Sequence, residues 1–196
     1  MKKITKRLFI LSVITSIITI CAIVILQRQS VKETRNMVEN QLERAQNIVD
    51  STNEISDVEG YAALGHGIAG VFGIFGIIFI DIYFFIKIAI IIIASIMYMV
   101  SWLKCKKEDT KTDNRGILDL IIIGSVLRTI NMCLLAKCMS LTDIQNTEKK
   151  YLVITAIVSE VICVIGTIIY IILNRKQFKN ITEKEDEKPV LTKADK

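Results

Sequence analysis

Apolar and polar positions along this chain are segregated into blocks rather than alternated. Predominantly apolar runs occupy residues 8–26, 61–103, 116–137 and 151–173, and the shortest has 19 residues. An α-helix needs ~20 such residues to cross ~30 Å of hydrocarbon. The pattern therefore predicts an all-α integral membrane bundle of four transmembrane helices. Five spans become possible if the long block 61–103 is split at Asp81. FIDIYFF around Asp81 holds no glycine, proline or asparagine to make a turn, which favours four.

The polar stretches divide the rest. Residues 1–26 join a basic N-terminus to the first span. MKKITKR before the apolar run resembles a secretory signal, yet Gln27, Arg28 and Gln29 follow where a small-residue cleavage site would stand. The segment reads as an uncleaved anchor. Ile20 before Cys21 is likewise not the small residue that lipoprotein processing requires.

Residues 27–60 are polar with helical periodicity. Val31, Val38, Ala45 and Thr52 recur every seven, with Leu42, Ile48, Val49 and Ile55 in neighbouring positions. This predicts an extracytoplasmic amphipathic stalk, either solvated or paired as a short coiled coil. A basic loop follows at 104–115, between the glycine-rich segment and second span (61–103) and a transmembrane hairpin (116–173). The mixed-charge tail 174–196 reads as disordered.

Charge gives the orientation. With four spans and both termini cytoplasmic, 16 Lys and Arg lie inside and six outside, which satisfies the positive-inside rule. The five-span alternative, with the N-terminus outside, scores the same. The density of charge favours four spans, because the first seven residues carry four cations and no acid. The net charge of +5 is explained by this distribution and does not call for a nucleic-acid partner.

Two charges stand inside the apolar blocks. Arg128 falls near the middle of the third and Glu160 near the middle of the fourth. On antiparallel neighbours joined by the short segment 138–150, they reach matched depth. They are expected to pair, because an unpaired charge at the bilayer centre costs at least ~2.5–3.5 kcal/mol. Gly124 and Asn131 share a helical face with Arg128. Ala156, Cys163 and Thr167 share one with Glu160, with Ser159 and Gly166 alongside. Asn131, Ser159 and Thr167 thus predict an intramembrane polar face. Its role is either to lock two helices together or to line a path for a proton, ion or small solute. Asp81 and Lys87 are expected to anchor at the interface, and Tyr98, Trp102, Tyr151 and Tyr170 to sit there or in helix packing.

Six of the nine glycines and the single histidine, His66, lie in residues 60–81. Gly65, Ala69 and Gly73 form a small-xxx-small row at spacing four, a candidate helix-packing seam. Six glycines also weaken a helix, so a re-entrant or loosely helical segment is compatible with this stretch.

Catalytic and metal chemistry find little support. One histidine cannot build a histidine metal cluster or relay, and the five cysteines have neither CxxC nor another metal-ligand spacing. GIAGVFGIFG does not continue into GK[ST]. No cofactor, metal or catalytic residue is predicted. The expected partners are the lipid bilayer of the cell membrane and another membrane protein or a second copy of the chain. The reading is a small non-enzymatic multi-pass protein acting through helix contacts, as an accessory subunit or an immunity-type protein. The alternative is a pore former or small transporter built on the glycine segment and the Arg128–Glu160 pair.

Overall fold

The computed structural model describes the backbone of residues 2–51, 57–107, 114–141 and 147–186, and the side chains of 3–50, 59–106, 116–137 and 147–174. All four described segments are helical: α1 (Lys2–Ser51), α2 (Asp57–Lys107), α3 (Asn114–Leu141) and α4 (Thr147–Asp186). Each is long and apolar enough to cross a membrane.

Helix α2 runs unbroken through both the glycines and Asp81. No turn divides it there, so the split that five spans require is absent, and the glycine segment is neither re-entrant nor frayed. Its 51 residues extend about 76 Å at 1.5 Å per residue. Helix α1 is equally continuous through the polar segment 27–51. No glycine or proline occurs in it to stop the helix, and its apolar positions find a surface to bury against. Helix α4 continues to Asp186, well into the stretch expected to be disordered. Good helix formers fill it, and the first breaker is Pro189; residues 187–196 lie outside the described ones.

The helices form a ring in which α1 touches α2 and α4, and α3 touches the same two. Thr5 of α1 reaches Cys105 of α2 and Tyr170 of α4 at one end. At the other end Lys149 of α4 pairs with Glu33 of α1. One apolar cluster, with Ile23, Phe84, Ile91, Leu135 and Val153, fills the bundle near that second end. Another, with Leu8, Tyr98, Ile117, Ile121 and Tyr170, fills the first. Close contact is set by glycines: a Cβ on Gly124 would stand 3.1 Å from the Tyr98 ring and 3.3 Å from the Ala94 carbonyl. One on Gly166 would stand 2.6 Å from Leu11 Cδ2.

Among the described residues, only α1 and α2 continue beyond Glu33 and Gly76, as a two-helix projection. Val38 and Leu42 of α1 lie where Cβ atoms on Gly73 and Gly70 of α2 would be. His66 Nδ1 donates to Gln41 Oε1 at 2.6 Å. The seven-residue repeat Val31, Val38, Ala45 is thus the face that α1 turns to α2; Thr52 and Ile55 lie outside the described residues.

Candidate functional site

The centre of the ring holds a continuous polar cluster between the two apolar ones. It begins on α1, where Ser12, Thr15, Ser16 and Thr19 repeat at helical spacing and point inward. Thr15, Ser16 and Thr19 each donate to a carbonyl three or four residues back, the usual way a helix satisfies an internal hydroxyl. Their lone pairs remain for neighbours.

Arg128 of α3 uses them. Its Nη2 donates to the Ser12 carbonyl at 2.9 Å, to Ser12 Oγ at 2.8 Å and to Ser16 Oγ at 2.5 Å. Nη1 donates to Glu160 Oε2 of α4 at 2.8 Å. Asn131 Nδ2, one turn along α3, donates to the other carboxylate oxygen at 3.3 Å. Arg128, Glu160 and Asn131 are all fully buried. Arg128 Nε and Asn131 Oδ1 have no hydrogen-bond partner among the described residues.

The remaining members tie the ring together. Ser16 Oγ and Ser95 Oγ, on α1 and α2, are 2.7 Å apart. Thr19 of α1 bonds Ser159 of α4. Tyr98 of α2 reaches Thr167 of α4 at 2.9 Å, and the Arg128 guanidinium lies 5.8 Å from the Tyr98 ring centroid. Helices α1 and α3, and α2 and α4, are not neighbours in the ring. Arg128 bridges the first diagonal and Tyr98 the second, because only long side chains span that distance.

All five polar positions read from the sequence therefore converge on one cluster. Five hydroxyl members escaped that reading, Ser12, Thr15, Ser16, Thr19 and Ser95, and the SVITSIIT run of α1 was the available signal for four of them. Lys87 is a correction. It is fully buried in the bundle, with Nζ 4.0 Å from the Tyr83 ring centroid and 5.2 Å from that of Phe84, and does not reach outward. Asp81 is exposed and accepts a 2.8 Å bond from Gln27 Nε2. Tyr98 and Tyr170 are buried packing residues, while Tyr151 is exposed. Trp102 stacks on Phe9 with ring centroids 5.2 Å apart.

The small-residue seam divides. Gly73 faces α1, whereas Gly65 and Ala69 are exposed, and nothing lies within 4 Å of a Cβ on Gly65. The seam inside the chain runs through Gly70 and Gly73 instead, since these are the glycines opposite the apolar positions of α1. The outward direction of Ala69 continues one that α3 covers lower down. There Tyr83 donates to the Leu134 carbonyl at 2.9 Å, and Ala94 and Tyr98 meet Gly124. Counting back by sevens from Tyr83 gives Gly76, Ala69 and Ala62. Helix α3 ends at Leu141, seven residues past Leu134 and so at about the level of Gly76. Above it Ala62, Gly65, Ala69 and Phe72 are uncovered, flanked by exposed Leu64, Ile68 and Phe75.

The chain matches no protein-family model, and neither a curated protein nor a solved structure matches it.

Proposed function

We propose that this is a non-enzymatic integral membrane protein of the cell membrane that works by docking a helix of another membrane protein, or of a second copy, on the open face of α2. An accessory subunit and an immunity-type protein both act in this way. The observation that carries the reading is the uncovered strip Ala62, Gly65, Ala69 and Phe72. It prolongs the α2 surface on which α3 already packs, and no charged residue interrupts α2 between Glu59 and Asp81. Small residues between larger apolar ones let a further helix approach closely.

The polar cluster supports a lock rather than a path. Its charges are fully buried and hydrogen-bonded to all four helices directly or through one neighbour. A conducting route would have to open this hydrogen-bonded network. Holding Arg128 and Glu160 in fixed geometry instead gives the ring one register, and the projection a fixed direction.

Photo-cross-linking tests the docking. A photoreactive side chain placed at Ala69 in the full chain, in its native membrane, is expected to give a discrete protein adduct. The same group at Ile122, exposed on α3, is the comparison. No protein adduct at position 69 beyond what Ile122 gives would overturn the reading.

A further inference from the structure

One exposed face of α1 changes character abruptly. Ile10, Ile14, Ile17, Cys21 and Ile25 are exposed and apolar; Arg28, Lys32 and Arg35 continue the same stripe. At 100° per residue all eight positions fall within an arc of about 80°. The change occurs just past Leu26, where the apolar block of α1 ends.

The three cations line a groove of about 480 Å³ between α1 and α2, with Val24 and Val31 as its apolar wall and Asp81 on the α2 side. Asp81 is bonded to Gln27, Glu33 is engaged by Lys149, and Glu39 stands one turn past Arg35 on the same face. Arg28, Lys32 and Arg35 make no ion pair among the described residues. The groove therefore carries three cations against one carboxylate. Further along the same side, α1 and α2 form a second, almost wholly apolar groove of about 260 Å³, with Val13, Ile17, Ile20, Ile96 and Met99. Ile17 lies eleven residues from Arg28, about 16 Å along the axis. That is close to half of a ~30 Å hydrocarbon core, the depth of one leaflet.

We infer that α1 and α2 bind one anionic phospholipid, its phosphate held by Arg28, Lys32 and Arg35 and an acyl chain laid along the groove toward Ile17. The inference rests on the membrane reading above, but not on which side of the membrane the projection faces. Guanidinium and ammonium groups recognise phosphate oxygens through charge-assisted hydrogen bonds. Cations at the membrane surface attract anionic headgroups at ~1 kcal/mol each. Three acting together predict a preference of roughly a hundredfold over a zwitterionic lipid, and screening by salt reduces it.

Carbonate extraction of the full chain from membranes first tests insertion; release into the supernatant would overturn the membrane reading itself. The inserted protein, purified in mild detergent, is then titrated with phosphatidylglycerol and with phosphatidylcholine of the same acyl length, and binding is read by native mass spectrometry. The expected result is one tightly held phosphatidylglycerol, preferred at least tenfold. Replacing Arg28, Lys32 and Arg35 together by Gln should abolish the preference while leaving the unfolding temperature without lipid unchanged. Replacing Lys104 and Lys106 by Gln should leave the preference intact. Inorganic phosphate at millimolar concentration should not displace the lipid. Equal binding of the two lipids, loss of preference in the Lys104/Lys106 variant, or displacement by free phosphate would each overturn the lipid site.

Discussion

Glu160 is held through both carboxylate oxygens by Arg128 and Asn131, while Arg128 is held in turn by Ser12 and Ser16. Removing one charge leaves the other buried without its partner, which costs about 3–5 kcal/mol. Replacing both by neutral amides removes the electrostatic penalty and retains polar contacts. Glu160→Gln and Arg128→Gln are each expected to lower the unfolding temperature in detergent sharply, and the double variant by much less than their sum. Additive losses would show that the two charges do not depend on each other. Ser12→Ala should cost about 1.5–3 kcal/mol in the same measurement, since one hydrogen bond to a charged group is lost and the carbonyl bond remains. The pairing was legible because opposite charges in two apolar blocks have few other places to go. The serines were not, because a helical serine ordinarily satisfies itself on its own backbone. Lys87 misled for a related reason: a long side chain near a block's end is expected to reach water, yet here Tyr83 and Phe84 receive it.

Among the elements, α1 and α2 carry the fold's least expected feature, their continuation past the other two helices. The amphipathic pattern of residues 31–45 announced a buried face but not its partner. Every position of α2 from 60 to 80 is apolar, glycine or histidine, so periodicity has no polar side from which to infer direction. Only contacts separate Gly70 and Gly73, which face α1, from Gly65 and Ala69, which do not. Substitution should separate them too. Gly73→Leu drives a side chain into Val38 and is expected to destabilise the chain by about 1–3 kcal/mol. Gly65→Leu meets open space and should leave the unfolding temperature of the isolated protein nearly unchanged. If the open face docks a helix, the same Gly65→Leu change should still weaken the adduct formed from position 69. A fall in stability equal to that of Gly73→Leu would place both glycines in one internal seam.

At the scale of the whole molecule, the ring puts the α1–α2 and α3–α4 connections at one end and the α2–α3 connection at the other, with α1 beginning there too. Contacts fix this arrangement without reference to a membrane: Thr5 meets Cys105 and Tyr170, while Glu33 meets Lys149. The number of helices was therefore readable from block lengths and the order of their ends from connection lengths. Which end faces the cytoplasm depends on charge alone. The end with α1's start and the α2–α3 connection carries Lys2, Lys3, Lys6 and Arg7 and the cations of 104–115. Lysine and arginine near span ends are retained on the cytoplasmic side, so this end should stay inside and the projection should emerge. Single cysteines at Asn40 and Thr110, in a chain whose native cysteines are replaced, report the two ends. In intact cells a membrane-impermeant maleimide is expected to label position 40 at once and position 110 only after permeabilisation. The opposite pattern would invert the protein in its membrane and turn the open α2 face toward cytoplasmic partners, while the polar lock and the ring would be unaffected.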